Sequence, residues 1–334
     1  MWVQKYLSIQ NNNRDTCARG RPIYKTSFDN IKLFLKRMNE EPNSNKPYFF
    51  LNFLTEYTHD YFILPPYIDQ EFKEMVENFD KLGYLDNTLL FIFSDHGSRL
   101  TPYAYKTETG TAEKNLPFVS IRLPKILWNS QYQTNLLENK NKLVTAFDIF
   151  QTLRHFYHLN GNYSKELDRN QFKLNDKNVR QLRGISLFEE IPINRSCRDA
   201  FIPETFCSCF KESIINENDF LILTNNTFDM VSKFFLSKIN DLTKQVRGKC
   251  LEFNFDKIER VSQSYLQDVF KFVYILTPGD AWFQTVIKVN RLPKNPNSIF
   301  SIYDDIVRIS PYGNQSNCVD EPVLRNFCFC ENVL

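Results

Sequence analysis

Glycine is scarce in this chain, with 9 among 334 residues. So few exclude a collagen-like repeat and argue against a Gly-rich phosphate loop. Charge of one sign is also lacking: Lys and Arg total 41 against 39 Asp and Glu, a net charge of +2. That balance gives no electrostatic case for nucleic acid or an anionic membrane as a partner. No stretch approaches the 18 apolar residues of a transmembrane helix. There are 4 histidines, and no G-x-S-x-G, P-loop or H-E-x-x-H pattern. A secretory opening is missing as well. Met1-Trp2-Val3-Gln4-Lys5-Tyr6 runs on to Asn11-Asn12-Asn13 before any apolar core develops.

What is present points to a folded body. Apolar residues make up 42% and charged residues 24%, and 31 Phe and 16 Tyr can fill a sizeable core. The 8 cysteines are Cys17, Cys197, Cys207, Cys209, Cys250, Cys318, Cys328 and Cys330. Glycosylation sequons stand at Asn162, Asn194, Asn225 and Asn314. An even cysteine count with sequons favours an oxidising compartment, so a secreted or secretory-pathway protein is expected. An extracellular-looking body without an export signal leads to the expectation that the front of the protein is missing.

The pattern along the chain predicts three parts: an irregular segment over 1–25, an α/β domain over 26–196 and a cysteine-rich α+β module over 197–334. Residues 26–39 have apolar positions at helical spacing. Residues 47–54 (PYFFLNFL) form a continuous apolar run, the pattern of a strand buried on both faces. An amphipathic helix over 67–82 follows, with Gly83 as its end signal. A second buried strand over 88–93 leads into Ser94-Asp95-His96-Gly97. Strand, helix, strand predicts a βαβ unit and so a parallel sheet. Residues 117–124 are a third strand candidate, 143–159 a strong amphipathic helix, and 160–183 a polar surface excursion. Beyond Cys250, period-two runs over 251–255, 270–276 and 282–289 predict strands, with Pro278-Gly279-Asp280 as a hairpin turn.

Cys197, Cys207 and Cys209 have gaps of ten and two, and Cys318, Cys328 and Cys330 repeat them. The shared spacing reads either as a duplicated hook or as coincidence. All the cysteines are disulfide candidates. Zinc is the rival reading, but the usual C-x2-C spacing is absent and histidine is scarce.

Asp95-His96 is the sharpest chemical feature. At the carboxyl edge of a parallel sheet, a hard oxygen and an imidazole nitrogen suit a divalent cation. Gly97 permits a sharp turn and leaves space. The competing reading is an Asp that caps the next helix beside a His satisfied in a loop. His59, after the first expected strand, can bind a metal or a substrate oxyanion, or be a loop His bonded to backbone. Glu56 and Asp60 add carboxylates without a direction. His155 and His158, three apart on the 143–159 helix, read as packed side chains.

Several of these segments, taken in order, resemble the sulfatases. Tyr67 to Gly97 resembles the stretch leading into their metal-binding Asp-His-Gly, including Asp69 and Gly83-Tyr84-Leu85-Asp86-Asn87-Thr88. Glu113 to Phe118 resembles their "E…P" strand, Phe147 to Leu153 their "DIFPTL" helix, and Arg183 to Phe188 their "GxSL" segment. The chain is more similar still to the animal branch called the domain of unknown function 229 (DUF229) proteins. That similarity lies in Cys17 to Pro22, His59-Asp60, Arg195-Ser196-Cys197 through Ile202-Pro203 to Cys207-Ser208-Cys209, and Pro278 to Phe283. The resemblance implies an alkaline-phosphatase/sulfatase-like fold, a mostly parallel sheet flanked by helices. It implies Asp95 and His96 as ligands of a divalent cation, calcium or zinc, with His59 on the metal or substrate side. Relatives act on small-molecule or glycan esters of sulfate or phosphate. Their first metal-ligand strand and nucleophile have no counterpart ahead of Cys17, so no catalytic nucleophile is assigned. The expectation is the C-terminal portion of such a hydrolase, or else a non-catalytic secreted or binding relative, or a truncated gene model of an active hydrolase.

Overall fold

The computed structural model of the chain describes residues 17–18, 20–44, 46–59, 64–99, 101–159, 184–208, 213–214, 227–246, 248–264, 266–295 and 298–333. It divides into two compact units, residues 1–93 with 119–129, and residues 94–118 with 130–334.

In the first unit a two-residue hairpin pairs β1 (Cys17–Ala18) with β2 (Arg21–Pro22). Helix α1 (Ile23–Asn39) and helix α2 (Pro66–Lys81) follow. Phe28 and Leu35 from α1, Met75 and Phe79 from α2, and Leu85 share one buried cluster. The amphipathic spacing of both helices is thus used for packing against each other's apolar stripe. Pro66 starts α2 where its missing N–H costs nothing. Strands β3 (Leu90–Phe93) and β4 (Val119–Arg122) form an antiparallel pair, with Leu90 opposite Arg122 and Phe93 opposite Val119.

This pairing corrects the expectation of a mostly parallel sheet. Among the described residues every paired strand is antiparallel. The segment expected as a first buried strand, 47–54, joins no ladder. Its alternate residues meet a helix instead: Phe50 stacks on Phe34 of α1 at 4.4 Å, Ser27 donates to Asn52 at 2.7 Å, and Tyr48 and Leu54 pack on the cluster. Phe49, Leu51 and Phe53 remain 80, 64 and 67% exposed. Without a second strand running the same way, a parallel crossover has nothing to pair with β3.

The second unit is built around a six-stranded antiparallel sheet in the order β10-β8-β7-β6-β5, with β9 also on β8. Its strands are β5 (Ser213–Ile214), β6 (Asn254–Gln263), β7 (Val269–Thr277), β8 (Ala281–Val289), β9 (Phe300–Ile302) and β10 (Val307–Arg308). Strand β6 starts within the expected 251–255 run but extends to Gln263, through polar residues whose side chains stay mostly in solvent. One face of the sheet packs on α7 (Thr227–Leu242), where Val231, Phe235 and Ile239 meet Phe272, Tyr274 and Phe283. Phe235 stacks flat on Tyr274 at 4.1 Å. The opposite face carries Val273, Ile275, Trp282 and Ile309, and Tyr105 packs on it, 5.4 Å from Trp282. Tyr105 belongs to α3 (Pro102–Lys106), which is followed by α4 (Glu108–Asn115), α5 (Gln131–Asn139) and α6 (Ala146–Leu159).

Among the described residues, three disulfides close this unit: Cys197–Cys207, Cys250–Cys328 and Cys318–Cys330. The short helix α8 (Pro322–Arg325) lies inside the last loop. The repeated cysteine spacing does not carry a repeated pairing. The first triplet joins its first two members, whereas the second joins its first and third and sends its second to Cys250. Cys17, expected as a disulfide candidate, is free and exposed on its two-residue strand. Cys209 lies outside the described residues.

Candidate functional site

Asp95 and His96 stand together immediately after β3. The Asp95 side chain is 65% exposed and that of His96 34%, and Asp95 Oδ2 lies 3.5 Å from His96 Nε2. The other ring nitrogen, Nδ1, is 2.7 Å from the Gly97 carbonyl oxygen. A carbonyl can only accept, so Nδ1 carries a proton, and Nε2 is the ring nitrogen turned to the carboxylate. A proton on Nε2 or a cation between the two atoms would bridge this gap. Ligand atoms each about 2.1 Å from a tetrahedral zinc stand about 3.4 Å apart, so the gap fits a bound cation. The competing role as a helix cap belongs to another residue. Thr101 caps α3, its side chain accepting from the Ala104 N–H.

Gly97 fixes this turn against the end of α4. Its N–H donates to the Lys114 carbonyl at 3.0 Å, and a Cβ here would sit 2.2 Å from the Glu113 carbonyl oxygen. Any larger residue would push the turn off that backbone. Lys114 lies within the Glu113–Phe118 landmark. Burial pushes its ammonium below the usual range, and Lys271 and Arg260 push in the same direction.

His59 belongs to the first unit. It lies in the turn after 47–54, half-buried, with its N–H donating to the Thr55 carbonyl at 2.9 Å. Asp60 lies outside the described residues. Glu56 Oε2 accepts from the Thr55 N–H at 3.3 Å. Within the second unit, His155 packs edge-on to Tyr132 and Phe188 and pairs with Ser186 Oγ at 3.1 Å, so it is a packed helix residue as expected.

The remaining landmarks of the sequence meet in one buried network. Arg195 forks onto Asp148 with bonds of 2.8 and 3.1 Å. The same carboxylate accepts from the Thr145 and Ile185 N–H groups, each at 2.7 Å. One turn later Thr152 Oγ1 accepts from the Leu187 N–H at 2.8 Å. A Cβ at Gly184 would lie 2.2 Å from the Phe147 carbonyl oxygen, so the segment after it can approach α6 only because Gly184 has none. The Asp-Ile-Phe-x-Thr-Leu and Gly-x-Ser-Leu patterns and Arg195 therefore act as a structural lock, with no side chain left over for chemistry.

Among the cysteines, the sulfurs of Cys250, Cys318 and Cys328 lie within 4.8 Å of one another, a grouping that could hold a metal ion. Each of them is bonded to another sulfur here, so none is a thiolate ligand. Asn194 and Asn314 are exposed, while Asn162 and Asn225 lie outside the described residues. Among the described residues no helix is long and apolar enough to cross a membrane.

Residues 1–259 match the family described as "Protein of unknown function (DUF229)", which is more than three quarters of the chain. The chain belongs to the DUF229 family. No curated protein and no solved structure matches it. The DUF229 match covers the Asp-His-Gly turn and the Asp148–Arg195 lock, and it ends inside β6.

Proposed function

We propose that this DUF229 chain carries part of a metal-dependent ester-hydrolase site of the sulfatase type, with Asp95 and His96 as ligands of calcium or zinc. The observation that carries this reading is the 3.5 Å approach of Asp95 Oδ2 to His96 Nε2, with Nδ1 already committed to the Gly97 carbonyl. A cation held there would act as a Lewis acid on a sulfate or phosphate ester oxygen. The chain's own residues hold and orient the donors: Gly97 sets the ring, and the His96 N–H donates to Asp95 Oδ1 at 3.0 Å. In this reading residues 26–196 are hydrolase domain and 197–334 a cysteine-rich module. The disulfides and the sequons at Asn194 and Asn314 fit a secreted protein.

A second reading is a non-catalytic binding protein. It is favoured because a catalytic cation needs three or more protein ligands, and among the described residues no third histidine, cysteine or carboxylate joins Asp95 and His96. Calorimetric titration with zinc and with calcium tests the site. We expect weak binding that Asp95→Ala and His96→Ala each remove while the melting temperature stays put. Binding that survives both substitutions sinks the metal reading. A large loss of stability in either variant makes the pair structural. Turnover of aryl sulfate or phosphate that Asp95→Ala abolishes excludes the non-catalytic reading.

A further inference from the structure

Two disulfides of the second unit meet side by side. The sulfurs of Cys250, Cys318 and Cys328 lie within 4.8 Å of one another, and Cys318 Sγ is 3.6 Å from Cys328 Sγ, to which it is not bonded. Cys330, the partner of Cys318, adds a fourth sulfur to the group. Hydrogen bonds place these residues independently of the sulfur bonds. Cys250 and Cys330 face each other in an antiparallel bridge. On either side of it the Leu251 N–H donates to the Phe329 carbonyl at 2.8 Å and the Glu331 N–H to the Lys249 carbonyl at 3.1 Å. The Cys330 N–H donates to the Gln315 carbonyl at 2.7 Å, which ties the stretch before Cys318 to the same place. Side chains alternate along 327–330. Phe327 and Phe329 join the core beneath α7, while Cys328 and Cys330 share a small cluster with Cys250 and Val319. The backbone therefore keeps the four sulfurs together when their bonds are cut. The Cys318 N–H also donates to Cys330 Sγ at 3.0 Å, a contact that favours a thiolate there.

A tetrahedral zinc with four thiolates has bonds of about 2.3 Å, and so sulfurs about 3.8 Å apart. The unbonded approach of Cys318 to Cys328 already has nearly that spacing. We infer that reduction of the Cys250–Cys328 and Cys318–Cys330 bonds turns this cluster into a four-thiolate zinc site. Each bond takes two electrons and two protons from a dithiol, which closes its own S–S bond. Zinc then displaces the four thiol protons. Soft thiolates select zinc over calcium or magnesium. The metal takes over from the two covalent links as the clasp between Cys250 and the 318–330 stretch, so the module stays closed in a reducing medium. The site stands apart from the Asp95–His96 reading, and three of its four ligands lie beyond the stretch that matches the family.

The experiment reduces the full chain with a phosphine, removes the excess and titrates the protein with zinc against a coloured chelator strong enough to empty the Asp95–His96 pair. A single tight zinc is expected in the reduced chain and none in the oxidised one. Cys250→Ser and Cys328→Ser should each weaken binding about a hundredfold or more. Cys197→Ser with Cys207→Ser is the control, because neither sulfur belongs to the group; it should change nothing. Asp95→Ala should also leave this zinc in place, which keeps failure of one site distinguishable from failure of the other. Alkylation of the reduced wild type reads the same site without any variant: zinc should shield Cys250, Cys318, Cys328 and Cys330 and leave Cys17 reactive. Absence of tight zinc from the reduced chain, equal binding by the oxidised chain, or no shielding of the four cysteines overturns the inference. So does unchanged affinity in the Cys250→Ser and Cys328→Ser variants, or loss in the control.

Discussion

Two aromatic runs in this protein look alike as sequence and fare differently as structure. Residues 47–54 read Pro-Tyr-Phe-Phe-Leu-Asn-Phe-Leu, and β7 reads Val-Phe-Lys-Phe-Val-Tyr-Ile-Leu-Thr. Strand β7 has a partner on each edge and side chains buried on both faces. The 47–54 run has a helix on one side and exposes Phe49, Leu51 and Phe53 on the other. Apolar composition sets how much burial would be worth; neighbours decide whether it happens.

The largest test of this contrast lies in the second unit. Phe235→Ala empties a position that is fully buried and stacked on Tyr274, and should cost about 3–5 kcal/mol. Native-state hydrogen exchange of β7 amides reads that loss. Asp148→Ala should cost about as much, because it leaves the Arg195 guanidinium buried and unpaired. If either cost falls below about 1 kcal/mol, the second unit is no better packed than the first. Replacing Cys318 and Cys330 together by Ser opens a short loop and should cost about 3 kcal/mol in urea unfolding.

A smaller effect is expected from pH. Burial holds the His155 imidazole below its usual range. The neutral ring is therefore favoured in the folded state. Its contribution is complete above the ordinary histidine pKa of about 6.5 and is lost as pH falls below it. His155→Gln should flatten that part of the stability profile; an unchanged slope would assign it elsewhere. The smallest stability change is expected at 47–54. Phe49→Ser with Phe53→Ser should alter stability by no more than about 0.5 kcal/mol and reduce self-association in sedimentation velocity. A loss of several kcal/mol there would erase the contrast.

Helices were legible in the sequence because their apolar spacing is local. α1, α2 and α6 fall where periodicity puts them, and Gly83, at φ 73°, follows the end of α2. The Pro278-Gly279-Asp280 turn joins β7 to β8 as its composition implied. Strand direction was not legible. It depends on which strand returns beside β3, and β4 comes back antiparallel from residues far along the chain. The polar end of β6 escaped notice because a strand facing solvent lacks the apolar alternation that marks one. Asp95 and His96 stood out because two ligand types adjoin a glycine after an apolar run.

The two late disulfides interleave. Cys318 lies within the span closed by Cys250 and Cys328, while its partner Cys330 lies outside it. Strands β7 to β10 therefore sit on a covalent ring, and a second link ties one residue of that ring to a residue outside it. A protease that cuts the exposed stretch between β8 and β9 opens the ring but releases nothing. The nicked chain keeps its mass until a reductant arrives, so cleavage and loss become separate events that require two different agents.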